Sequence, residues 1–157
     1  MTNGQRVLLV RHGEATSTIN NSERPLTIAG RQHAECVASW LERSGHNIEE
    51  VLHSKKLRAR QTAKIFGCRF GVHAAHVREM AGLNPNDDPA PVAETLEVDR
   101  RSIIIVSHLP FLNCLASLLL VGDPERLQFQ FSDAGAVILA RVSGGLRIEA
   151  VVGHEMV

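Results

Sequence analysis

The longest unbroken run of β-branched apolar residues is Ile103-Ile104-Ile105-Val106. Such residues favour extended backbone, and a strand covered on both faces lacks polar alternation. Ser102–Val106 is therefore predicted as a buried strand. Val7-Leu8-Leu9-Val10 has the same character, and Glu50–His53 repeats it around Val51 and Leu52. Between these runs the period changes. Gly30, Ala34, Val37, Ala38 and Leu41 recur at helical spacing behind Thr27, a good N-cap, and before Gly45, a good stop. Ser54 is expected to cap a second helix from Lys55 to Phe66, stopped at Gly67. Pro91 to Asp99 reads as a third helix and Phe111 to Leu120, before Gly122, as a fourth. His73 to Glu79 is expected to hold a short edge strand. Ala136–Val142 and Leu146–Val152 flank Ser143-Gly144-Gly145 and read as a hairpin.

Strand and helix thus alternate over the first two-thirds of the chain. That order argues an α/β fold: a three-layer α/β/α sandwich on a mostly parallel sheet, with the hairpin as an antiparallel edge. No repeat or linker interrupts it, and 157 residues suit one domain over 1–157. Lys plus Arg and Asp plus Glu are both 17. A balanced charge offers no global field for nucleic acid or an anionic membrane, so any anion site must be local. The apolar run Leu115 to Val121 is too short to span a bilayer, and the polar start of the chain lacks a signal-peptide core. A cytoplasmic location is expected. Cys36, Cys68 and Cys114 fit no metal or redox spacing and are expected to be buried, reduced thiols.

Sites in open α/β sheets form outside the carboxyl ends of the strands. Three predicted strands end there in polar groups: Arg11-His12-Gly13, His53-Ser54 with Arg58 on the following helix, and Ser107-His108. Two arginines and two histidines can meet at one sheet edge. Guanidinium forks match phosphate oxygens, and a neutral imidazole nitrogen attacks phosphorus. A protonated second imidazole would add charge to the cradle. Gly13 lets backbone approach a ligand closely. Singly, Arg11, Arg58 and His108 also suit ordinary surface or core positions; their joint placement carries the inference.

These residues resemble the signature of the histidine phosphatase superfamily, which has the phosphoglycerate mutase-like fold. The opening landmark is Leu8-Leu9-Val10-Arg11-His12-Gly13-Glu14-Ala15. Arg24-Pro25-Leu26-Thr27 with Gly30, then Ser54 with Arg58-Ala59 and Gln61-Thr62-Ala63, then Ser107-His108-Leu109-Pro110 follow in the family's order. The resemblance implies that His12 accepts the phosphoryl group covalently, that Arg11, Arg58 and His108 hold it, and that Ser54 positions Arg58 or the substrate. It implies no metal and no organic cofactor. Ala15, Leu83-Asn84-Pro85 with Asp87-Asp88, and the short chain without room for a large lid insertion resemble the bacterial SixA-type phosphohistidine phosphatase branch. The expected partner is then a phosphorylated histidine-containing phosphotransfer protein.

A phosphoester substrate would need a proton donor for its leaving group. Glu79 is the candidate, with Asp87 and Asp88 behind it; the same residues also read as a strand-end charge and a helix-entry turn. Two other functions share these residues: a small-molecule phosphomonoesterase and a non-catalytic phosphoprotein-binding module. The remaining histidines, His33, His46, His53, His73, His76 and His154, show no metal-ligand pattern in the sequence.

Overall fold

A computed structural model describes residues 4–157. Six strands, β1 (Arg6–Arg11), β2 (Glu50–His53), β3 (Val77–Glu79), β4 (Ile103–Ser107), β5 (Ala136–Val142) and β6 (Gly145–Val152), form one sheet in the order β3-β2-β4-β1-β5-β6. The first four in that order are parallel; β5 and β6 are antiparallel. Each parallel crossover carries intervening chain over a face of the sheet. The helices are α1 (Ile28–Arg43), α2 (Leu57–Arg69), α3 (Ala90–Val98) and α4 (Phe111–Val121).

The side-chain alternation of the central strands divides the core in two. Leu8, Val10, Ile104 and Val106 pack with Val37, Leu41 and Phe66 of α1 and α2. Val7, Leu9, Ile103 and Ile105 pack with Leu96, Phe111 and Leu115 of α3 and α4. Both faces of β1 and β4 are therefore dry, which is why their sequences show no polar alternation. The result is the expected three-layer α/β/α sandwich. No helix is inserted between β1 and α1 or between β3 and α3.

Thr27 caps α1 by accepting the Gly30 N–H at 2.9 Å. Helix α4 stops at Gly122, whose φ of +76° suits a residue without Cβ. Two expectations fail at α2. Its N-cap is Lys56, whose ammonium can only donate and so caps no helix N–H, while the Ser54 hydroxyl two residues earlier meets His108. Gly67 lies inside the helix rather than after it. A Cβ there would sit 2.6 Å from Val77 Cγ2, so this glycine allows α2 to close on β3. The cysteines are also not buried: Cys36 and Cys68 are exposed and Cys114 is half-buried. They sit on the outer sides of α1, α2 and α4, where the helical period turns them from the core. No helix among the described residues is long and apolar enough to cross a membrane.

Candidate active site

Parallel pairing sets the ends of β1, β2 and β4 side by side: Arg11 is level with Ser107, and His53 with Val106. The chain beyond each strand enters one region. His12 N–H donates to Ser107 O at 3.0 Å and Ala134 N–H donates to His12 O at 3.1 Å. The Arg11 guanidinium donates to Phe131 O at 2.8 Å. The loop that carries His12 and Gly13 is thus fixed by its own backbone to β4 and to the segment before β5.

Thr62, fully buried in α2, ties this loop to Arg58. Its hydroxyl accepts the Gly13 N–H at 3.0 Å and donates to Arg58 O at 2.8 Å. Gln61 does the same for the second landmark, accepting the Leu26 N–H at 2.8 Å. Gly13 is required by packing: a Cβ would lie 2.8 Å from Gly30 O. Arg24 and Ala134 are the non-glycine residues with left-handed backbone among those described, with φ of +52° and +57°. Both flank the site, where such strain tends to collect.

His12 Nδ1 lies 2.7 Å from Gly13 O. Since a carbonyl only accepts, Nδ1 carries the proton and Nε2 keeps its lone pair. Burial, reinforced by Arg58, Arg11 and Arg24, outweighs this hydrogen bond and lowers the His12 pKa to about 4. The ring is neutral at neutral pH. The His108 ring lies 5.0 Å away, centre to centre. Burial, then His12, Arg58, Lys56 and Arg24, push its pKa to about 3. The protonated imidazole expected from the sequence is therefore a neutral one. His108 Nε2 meets Ser54 Oγ at 2.6 Å, and Ser54 Oγ also accepts the Lys56 N–H at 3.4 Å. A serine oxygen has two lone pairs, so this contact fits either tautomer; in the Nδ1–H form the hydroxyl donates to Nε2 and Nδ1–H is left for an anion.

Among the described residues, the buried side-chain nitrogens without a protein partner are Arg11 Nε, Arg58 Nε and His108 Nδ1. Buried N–H groups are rarely left unpaired. Three in one cluster, beside a neutral imidazole, suit an anion with several acceptor oxygens. A basic cleft of about 580 Å3, lined by Arg24, Lys55, Lys56, Arg58 and Arg60 with Glu23, opens at Arg58.

Ser54 belongs to this cluster through His108. Glu79 stands apart: it ends β3, is exposed, and lines a different cleft with His53, Arg60 and Lys64. Asp87 accepts the Asn84 N–H and Asp88 the Ala90 N–H, so both shape the turn into α3. Thr62 was the residue whose contribution the sequence hid. A hydroxyl in mid-helix usually has only its own helix to bond, and nothing local shows that Gly13 approaches it.

The model of the histidine phosphatase superfamily (branch 1) matches residues 7–85. The chain is 33% identical over 146 residues to the phosphohistidine phosphatase SixA of Escherichia coli, covering 89% of each protein. The solved structure of the protein histidine phosphatase SixA complexed with tungstate superposes with a TM-score of 0.83 at 26% identity, over 97% of this chain and 99% of that one. A phosphoserine phosphatase from Entamoeba histolytica shares the fold, with a TM-score of 0.69 at 18% identity over 96% and 98% of the two chains. The four ordered landmarks, the sheet that brings them together and these likenesses agree: the chain belongs to the histidine phosphatase superfamily, SixA-type, and is a phosphatase.

Proposed function

We propose that this phosphatase hydrolyses phosphohistidine on a histidine-containing phosphotransfer protein, through a phosphoryl group carried on His12 and without a metal ion at phosphorus. The observation that carries the reading is the neutral His12, with Nδ1 held by Gly13 O, beside three unpartnered buried donors. Arg11 and Arg58 supply fixed positive charge and His108 Nδ1–H a neutral donor for the phosphoryl oxygens, whose charge must be held through the transition state. His12 Nε2 attacks phosphorus, the P–N bond of the substrate breaks, and the departing imidazole takes its proton from solvent water, which the second step returns when water attacks. Water then attacks phospho-His12, releasing phosphate and restoring the neutral ring. Gly13 O retains the Nδ1 proton through both steps, which keeps Nε2 as the reacting atom.

The substrate class follows from three supports. An imidazole leaves from phosphorus with less help than an alkoxide, so an acid in contact with His12 is dispensable. No inserted helix encloses the site, and enclosure is what retains a small substrate. The cleft at Arg58 has five basic residues against one acidic, a surface complementary to an acidic protein. A small-molecule phosphomonoesterase is the second reading, and Glu79 is its candidate acid. The distinguishing experiment compares phosphate release from a phosphohistidine-bearing phosphotransfer domain and from an aryl phosphate. Faster turnover of the phosphoprotein supports the proposal. Preference for the aryl phosphate, reduced by Glu79→Gln, supports the alternative.

A further inference from the structure

His33, Asp133 and His154 are far apart in sequence and meet on the surface beside the nucleophile loop. His33 comes from α1, Asp133 from the segment before β5, and His154 from the turn after β6. His33 Nδ1 lies 2.9 Å from Asp133 Oδ2 and His154 Nε2 lies 3.2 Å from Asp133 Oδ1. The two imidazole rings stack nearly parallel, with centres 3.6 Å apart. One nitrogen from each ring and one carboxylate oxygen lie within 4.8 Å of one another. All three side chains are roughly three-quarters buried.

We infer that His33, Asp133 and His154 form a binding site for a divalent transition-metal ion of the zinc class. Two imidazoles and one carboxylate are the ligand set of such ions rather than of magnesium or calcium, which prefer oxygen. Ligand atoms around a tetrahedral zinc stand about 3.3 Å apart, given bond lengths near 2.0 Å. The two nitrogen–oxygen separations, one to each carboxylate oxygen, are close to that spacing, and a turn of the rings out of their parallel stack brings both nitrogens onto one ion. Glu155 supplies a fourth ligand or leaves that place to water: its Oε2 lies 3.5 Å from His154 Nε2.

The ion would be structural. Asp133 Oδ2 also accepts the Glu14 N–H at 3.0 Å, and the neighbouring Ala134 N–H holds His12 O. Metal binding therefore ties α1, the nucleophile loop and the C-terminal turn together without contributing a ligand from the phosphate cradle. The sequence alone could not show this, because His33 lies 100 residues or more from the other two ligands and no motif spacing joins the three.

The test is titration of the full chain with Co2+, followed by its visible ligand-field absorption, with Zn2+ as competitor. The expected result is one Co2+ per chain, displaced by Zn2+, with affinity reduced at least tenfold in His33→Ala and in His154→Gln. Binding should be unchanged in His12→Gln, which removes the other histidine pair as the source of the signal. Zn2+ should also raise the thermal midpoint of the wild type and not of Asp133→Asn. His154→Gln alters only the terminal turn, so it reports on binding even if the helix variant folds poorly. Absence of a Co2+ signal in the wild type overturns the inference. So does a signal that survives His154→Gln or vanishes in His12→Gln.

Discussion

Acidification distinguishes a neutral, buried His12 from an ordinary surface histidine. In the unfolded chain the imidazole titrates near 6.5, and in the native site at about 4. Between these values the unfolded state holds a proton that the native state does not. Stability therefore falls as pH falls across this window. At about pH 5 the native value already lies below the working pH, so the loss depends chiefly on the unfolded value. It amounts to ~2 kcal/mol relative to about pH 7.5, or some thirtyfold in the folding equilibrium. His108 acts in the same direction. Urea unfolding of the wild type and His12→Gln at both pH values isolates the His12 share, because contributions common to both proteins cancel in the double difference. The variant should lose ~2 kcal/mol less than the wild type over this span. Equal losses would refute the buried, neutral His12 and with it the proposed role of its ring as nucleophile.

Three substitutions test the rest of the framework. Arg58→Ala removes a fixed charge from the phosphoryl oxygens and should lower kcat by ~100-fold or more in steady-state phosphate release. Thr62→Val leaves the buried Gly13 N–H unpaired, which should cost ~1–3 kcal/mol in denaturant unfolding and lower kcat; Thr62→Ser should restore the rate if positioning of Gly13 is the cause. Gly67→Ala drives a methyl into Val77 and should cost ~1–3 kcal/mol, read as a lowered thermal midpoint, with Val77→Ala in the same chain relieving it.

The sheet was largely legible in the sequence because burial on both faces leaves a simple mark. The β-branched run at Ile103–Val106 and the apolar run at Val7–Val10 show no alternation, and the structure explains why. Arg11, His12 and His108 could be placed at a common edge because strand ends are local features and parallel pairing aligns them. What remained hidden depends on contacts across the fold. Ser54 has the sequence context of a cap, but its hydroxyl serves His108, 54 residues away. Gly67 has the look of a helix stop, but answers to Val77. Thr62 gives no local hint that it holds Gly13. The same limit applies to His33, Asp133 and His154, which meet only where the turn after β6 and the segment before β5 reach α1.

The central claim is that His12 Nε2 carries the phosphoryl group. Its most direct test is acid-free trapping of the protein during turnover of a 32P-labelled phosphohistidine donor, followed by peptide mapping. The expected result is a label on His12, stable to alkali and labile to acid, and absent from His12→Gln. Turnover with no label on His12, or near-normal turnover by His12→Gln, would contradict it.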